Sequence, residues 1–296
     1  MADKAVSLSD AVARTVKDGD TVFIGGFGHA VPFALGHEIL RQGFKNLTLC
    51  RSGTDILFDL MIAAGAVKKA VFGYLGNPGI GLGQAFRRAV KAGAIEYEDW
   101  TNFAMILRLH AARLGVPFLP ARILQIGDMP NVLPDLKTLD CPYTGEQLTC
   151  IPALKPDVAL IHAQHADREG NIKFYGIDGD TVEGALAADK IVVSVEHFIE
   201  PEQIAETPEL TRIPAHRVTA VAEVPWGAHP SYVEGFYGRD DTHFYDYDKI
   251  AREDESLRQY LQKWVYDCPD RRTYLETVGA EKLSELKAHG SGREPR

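Results

Sequence analysis

The segment 18–32, DGDTVFIGGFGHAVP, constrains this chain most, because it sets a strand, a glycine-rich turn and a helix start end to end. Thr21–Ile24 is a short apolar run of β-formers, the pattern of a strand buried in a parallel sheet. Gly25, Gly26 and Gly28 follow, and backbone without Cβ reaches dihedrals and close approaches that other residues resist. Pro32 stands where a helix begins, where its missing N–H is harmless. Two readings of the turn stand side by side. One is a bare strand–helix connection. The other is a ligand loop at the carboxyl end of a strand, where open α/β sheets bind their ligands. Nucleotide fingerprints are absent: the residues after Gly26 do not complete G-x-G-x-x-G, and no P-loop lysine follows.

Strand and helix signals keep alternating beyond this segment. A helix opens at Ser7 or Ser9, and further helices are expected over 34–41, 56–63 and 85–92. Strands are expected over 47–50 and 70–74 between them. The last of these helices turns Arg87, Arg88 and Lys91 outward. Repeated βα units of this length imply an open, mostly parallel sheet with helices on both faces. Segment 130–152 is rich in turn residues and suggests a hairpin around Tyr143, Thr144 and Gly145. Strands over 158–162, 172–175 and 191–195, with a helix over 183–188, resume the pattern. Segment 225–248 is aromatic and glycine-rich with little period, and a polar helix over 253–265 follows it. With no repeat and no flexible linker, one α/β domain over 1–287 with loop insertions is expected, and a disordered tail over 288–296.

Composition sets limits. The 296 residues are 45% apolar and 25% charged, as in an ordinary globular protein. A net charge of −9 argues against a nucleic-acid or anionic-membrane surface. No apolar run approaches the roughly 18 residues of a membrane span, and no signal-peptide core opens the chain, so a cytoplasmic location is expected. The four cysteines form no C-x-x-C pair, which disfavours zinc and thioredoxin-like chemistry. Cys141 and Cys150 are close enough to meet across a hairpin and are expected to be free thiols.

A second glycine-rich turn, 73–83, follows the third strand and belongs on the same sheet edge as the first. There Asn77 either donates from its amide to a carbonyl or oxyanion, or with Pro78 merely initiates a turn. At the end of the second strand, Arg51 either binds a substrate carboxylate or pairs with a local acid. Ser52 lacks the G-x-S-x-G frame of a hydrolase. His162 and His165 lie on a strand, where alternation separates them, so a metal site is not expected. The acids Glu96, Glu98 and Asp99 offer a base or nucleophile, or the solvated start of a helix. The turn around His229 either closes over a cleft or forms a structural corner.

DGDTVFIGGFGHAVP resembles the N-terminal signature of the A (alpha) chains of the family I coenzyme A transferases. KPDVALIHAQHADREGNI is similar to that family's strand–turn–strand segment. PWGAHPSYVEGFYGRDDTHFYDYD resembles the late loop of its glutaconate and long 3-oxoadipate branches, and KWVYDCPDRRTYLETVGAEKL resembles the end of the glutaconate branch. CPYTGEQL is more like the 3-oxoadipate branch. The resemblance implies an open α/β sheet and a B (beta) subunit of similar fold. It implies acyl-CoA and carboxylic-acid substrates, with coenzyme A as substrate and no permanently bound cofactor. The nucleophile implied is a glutamate on the B subunit, in a Glu-Ser-Gly or Glu-Asn-Gly turn; the comparable turn here reads Arg51-Ser52-Gly53, so no catalytic residue is expected in this chain. Gly25, Gly26, Phe27 and His29 would then wall the acyl pocket beside Tyr74, Gly76, Asn77 and Gly79, with Arg51 close by. A side chain at Gly26 would intrude on that pocket. Two other readings remain: a CoA-thioester or ring-opening hydrolase with Glu98 as base, and a non-enzymatic metabolite-binding module related to sugar-phosphate isomerases.

Overall fold

Among residues 3–77, 79–133 and 135–290, which the computed structural model describes, nine strands join in one sheet. They are Thr21–Ile24 (β1), Leu47–Gly53 (β2), Val67–Tyr74 (β3), Glu96–Asp99 (β4), Val158–Ala166 (β5), Ile172–Lys173 (β6), Lys190–Phe198 (β7), Thr211–Ile213 (β8) and Ala220–Glu223 (β9). Seven run parallel in the order β9-β7-β5-β1-β2-β3-β4. Strands β6 and β8 add an antiparallel extension on the far end of β5, where His165 and Ala166 face Lys173 and Ile172.

The central strand is shorter than both its neighbours. β1 ends at Ile24, opposite Leu160, while β5 continues to Ala166 and β2 runs on to Gly53. One more ladder bond, from Gly25 N–H to the Leu160 carbonyl (2.9 Å), closes the pairing. The chain then leaves the sheet and opens a notch in its carboxyl edge.

Alternation along the strands feeds two cores. Val22, Ile24, Leu49, Leu160 and Val192 pack with helices Leu8–Thr15, Phe33–Gln42, Ile56–Ala63, Asp241–Ile250 and Asp254–Leu261 on one face. Phe23, Cys50, Val71, Ile161 and Val193 pack with helices Asn102–Leu114 and Thr181–Ala187 on the other. Strands covered on both faces must be apolar throughout, which is why they read as continuous apolar runs. Side-chain caps start several helices: Ser7 accepts from Asp10 N–H, Asp55 from Leu57 N–H and Thr101 from Ala104 N–H.

The expected βα alternation is present, with β2 extending to Gly53 and β5 to Ala166 beyond the sequence signals, while the strand expected over 172–175 is only Ile172–Lys173. Two elements differ from expectation. The acidic run at 96–99 is the edge strand β4 rather than a helix start, held by pairing to β3. Helix Asn102–Leu114 was not expected from the residues. The expected hairpin exists, as strands Lys137–Asp140 and Gln147–Pro152 joined with Phe118–Ala121 in a small separate sheet. Arg88 is not turned outward: its Nη1 donates to the Ala251 carbonyl at 2.6 Å. The last helix, Ala280–His289, carries ordered chain into the expected tail, and residues 291–296 lie outside the described residues.

Helix Thr181–Ala187 lies so close to β1 that a Cβ on Gly184 would sit 2.2 Å from the Phe23 ring. Overpacking of this kind costs about 1–3 kcal/mol. Gly184→Ala is expected to lower the urea midpoint by a corresponding amount without changing the denaturant slope.

Candidate active-site cleft

The glycine turn is set by constraints from both ends of the chain. Gly26 adopts φ +85°, open to glycine at little cost, and its N–H donates to Thr181 Oγ1 at 2.8 Å. A Cβ there would lie 2.7 Å from the His29 carbonyl oxygen and from Val31 backbone. The clash is therefore inside the turn itself, which corrects the expectation that a Gly26 side chain would project into the pocket. Gly28 also has positive φ, with open space around it, and its carbonyl accepts from Ser231 Oγ at 2.5 Å. Ala30 N–H donates to the Tyr232 carbonyl (2.8 Å) and Ala34 N–H to the Gly227 carbonyl (2.9 Å). The aperiodic segment near 227–232 is thus the clamp on the loop. His229 in it is buried between Tyr274 Oη and Asp240, so that turn is a structural corner.

The loop sends two side chains in opposite directions. Phe27 is partly exposed and its ring lies over Gly53 and Gly179, either of which would clash with it if it carried a Cβ. His29, expected on the pocket wall, has no exposed surface. Its Nδ1 is 2.9 Å from the Ile177 carbonyl, which can only accept, so Nδ1 carries the proton and Nε2 accepts from Glu234 N–H (3.1 Å). Burial lowers its pKa to about 4, so it is a neutral internal brace at pH 7. Gly25 is internal too, with Ile161 and Thr181 packed where its Cβ would be.

At the end of β2 the local reading of Arg51 is the one realised. It is buried, and its Nη1 donates to Asp55 Oδ2 at 2.9 Å. Asp55 also caps the next helix through Leu57 N–H (2.9 Å). Ser52 N–H donates to buried Asp180 (2.7 Å); burial raises the Asp180 pKa, opposed first by Arg51 and then by Ser52. Arg51 therefore has no surface to offer a substrate.

The second turn does face the first. Phe27, Gly28, Gly53, Thr54, Asp55, Asn77, Tyr232, Arg239 and Phe244 line one cleft of about 250 Å³. Asn77 is 5% exposed, and its Nδ2 donor is buried without a partner. A buried amide N–H left unpaired costs about 1–3 kcal/mol, so an acceptor belongs in front of it. Tyr74 is partly exposed on the far side, with its hydroxyl over Gly76, and its carbonyl accepts from Thr54 N–H (2.9 Å). Gly79 stands at the open turn with nothing near its Cβ position. Of these lining residues only Phe27 and Asn77 were expected as site residues; Tyr232, Arg239 and Phe244 reach the cleft from late in the chain, where only an arginine among aromatics marks them in the sequence.

A wider cleft of about 630 Å³ lies between β4 and Val132, Leu133, Asp135 and Leu136, and contains Glu98. Burial pushes the Glu98 pKa up, but Lys69 (2.7 Å), Trp100 Nε1 (2.9 Å) and Arg108 (2.9 Å) outweigh it and hold the pKa at about 2. A carboxylate so satisfied is a poor base, which corrects the role given to it in the hydrolase reading. His162 is likewise internal, between Ser194 Oγ and Glu196 Oε1, both at 2.8 Å. All four cysteines are free thiols.

Removing one partner of a buried ion pair typically costs about 3–5 kcal/mol. Arg51→Ala is expected to destabilise the fold on that scale in chemical denaturation, because Asp55 and Asp180 keep their burial and lose their cation.

A coenzyme A transferase family model matches residues 5–223. The chain is 39% identical over 280 residues to the alpha (A) chain of the 3-oxoadipate CoA-transferase of Pseudomonas knackmussii, covering 94% of this chain and 99% of that one. It is 34% identical over 302 residues to the alpha (A) chain of the glutaconate CoA-transferase of Acidaminococcus fermentans, covering 96% and 94%. The crystal structure of that glutaconate coenzyme A-transferase superposes with a TM-score of 0.92 at 33% identity, covering 96% of this chain and 95% of that one. A cholesterol ring-cleaving hydrolase IpdA subunit from Rhodococcus jostii is 32% identical over 280 residues, covering 90% and 94%. No helix among the described residues is long and apolar enough to cross a membrane. With this likeness running through nearly the whole chain, it belongs to the coenzyme A transferases, as an alpha-type subunit of that family.

Proposed function

We propose that the chain pairs with a B subunit in a heteromeric CoA-transferase that moves CoA between an acyl-CoA and a short dicarboxylic or oxo-acid. The observation that carries this is the chemistry of the cleft. It has donors in Asn77, Tyr232 and Arg239, but Asp55 is the only acid lining it among the described residues, and Asp55 is engaged by Arg51 and Leu57 N–H. A transfer through a covalent carboxyl intermediate then needs its nucleophile from another chain.

In this reading the donor thioester is attacked by a glutamate of the B subunit. The C–S bond breaks, giving an acyl-glutamyl anhydride and a CoA thiolate. The thiolate attacks the glutamyl carbonyl, releasing the donor acid as carboxylate and leaving a glutamyl thioester. The acceptor acid takes CoA by the reverse steps. Division into covalent stages, with the thiol held nearby, lowers each barrier. The Asn77 amide is the donor placed for the oxyanion that forms at each attack. Phe27 shields the cleft from water at its rim, and Gly28, Gly53, Tyr74, Gly76 and Gly79 keep the approach open or shape its edge.

Co-expression with the adjacent reading frame is expected to yield a stable complex that exchanges CoA between succinyl-CoA and short dicarboxylates, while the isolated chain is inactive. Failure to bind any B-type subunit would overturn the proposal, and steady CoA release without an acceptor acid would replace it with a hydrolase. In that complex Asn77→Ala is expected to lower kcat roughly 100-fold, the usual loss for one oxyanion donor, with assembly unchanged by size-exclusion chromatography.

A further inference from the structure

We infer that Arg239, assisted by the Tyr232 hydroxyl, reads a second carboxylate at the far end of the acyl group and so selects dicarboxylic over monocarboxylic acids. The inference rests on the proposed transferase reading and adds a residue-level determinant to it.

Arg239 lines the same cleft as Asn77, and its guanidinium lies 4.4 Å from the centre of the Phe244 ring. Contact with that ring holds the cation against an apolar surface and shields one side of it from water. Its Nε lies 3.0 Å from Asp241 Oδ1, off the direction of a hydrogen bond, so this contact is an ion pair alone. Asp241 is largely exposed at the start of its helix, where pairing adds little. The two terminal nitrogens of Arg239 have no partner among the described residues, and those are the pair that binds a carboxylate with two parallel bonds.

Tyr232 stands in the same lining. Burial, and after it Glu234, raise the pKa of its hydroxyl, so it remains a proton donor at neutral pH. The Tyr232 backbone is already bound to Ala30 N–H, which ties this second group to the glycine loop. The one acid in the cleft among the described residues, Asp55, is paired with Arg51, so it does not compete for Arg239. A cleft of about 250 Å³ is of a size for a short acyl chain rather than for a whole coenzyme. An orphan amide, a planar cation and a phenol in such a space suit a molecule with one reacting carboxyl and one spectator carboxylate.

A structural role is the alternative, since Arg239 also packs on Phe244. Matched acceptor acids separate the two. In the assembled complex, kcat/KM is measured for glutarate against valerate and for adipate against hexanoate, pairs differing only by a distal carboxylate for a methyl group. The wild type is expected to favour the diacids. Arg239→Met is expected to cut the diacid-to-monoacid ratio about 100-fold, and Arg239→Lys, which keeps charge without the fork, about tenfold. Tyr232→Phe removes a single oxygen and is expected to lower the ratio about tenfold, which keeps the test open if Arg239→Met fails to assemble. A wild type that prefers the monoacids, or variants in which both members of a pair fall by the same factor, would overturn the inference while leaving the transferase reading intact. Wild-type transfer to neither member of either pair would overturn that reading and this one together.

Discussion

The early end of β1 is the constraint on which the rest depends. A strand of four residues stands between neighbours of seven and nine, so the centre of the sheet stops short and its carboxyl edge is open. Unpaired backbone there is costly unless something else accepts and donates. The fold answers with the Gly26–Thr181 bond from a facing helix and with Ser231, Tyr232 and Gly227 from a distant loop. The cleft is the space left over when these partners are satisfied.

That arrangement explains why the loop neighbourhood divides into braces and lining. Groups pointing into the sheet are engaged by protein partners: His29 with the Ile177 carbonyl and Glu234 N–H, Arg51 with Asp55, Asp180 with Ser52, although Arg51 Nε and Asp180 Oδ1 find no partner among the described residues. Groups in the cleft lining keep capacity among the described residues: the Asn77 amide, the terminal nitrogens of Arg239, the Tyr232 hydroxyl. A buried donor without a partner costs stability, and one in the lining of a cleft has room in front of it for a ligand's acceptor. The acids follow the same division. Glu98, in the separate wider cleft, and Asp55, in the cleft between the two turns, are both held by cations.

Much of this is legible in the residues. The apolar run Thr21–Ile24 followed by three glycines locates both the strand and the break in it, because few other sequences tolerate that turn. The second turn falls on the same edge as expected, since two parallel strands must end on the same side. Side-chain direction is not legible. Phe27 and His29 are two residues apart in a loop, where no fixed period assigns faces, and one lies at the rim while the other is interior. Arg51 is open to two readings in the sequence because its partner Asp55, four residues on, is also a helix cap, and only the packed β2 end brings the two within 2.9 Å. The edge strand at 96–99 is obscured by its acids, which solvent accepts on an edge and of which Glu98 pairs with Lys69 and Arg108.

The sequence by itself determined the βα alternation, the two-faced core, the two glycine turns and the family signature, because each is written in local pattern and backbone permission. Only the tertiary structure decided which polar groups are spent and which remain. Arg239 and Tyr232 lie about two hundred residues beyond the loop they join. Their place beside Asn77 follows from long-range hydrogen bonds and ring packing, which no local period encodes.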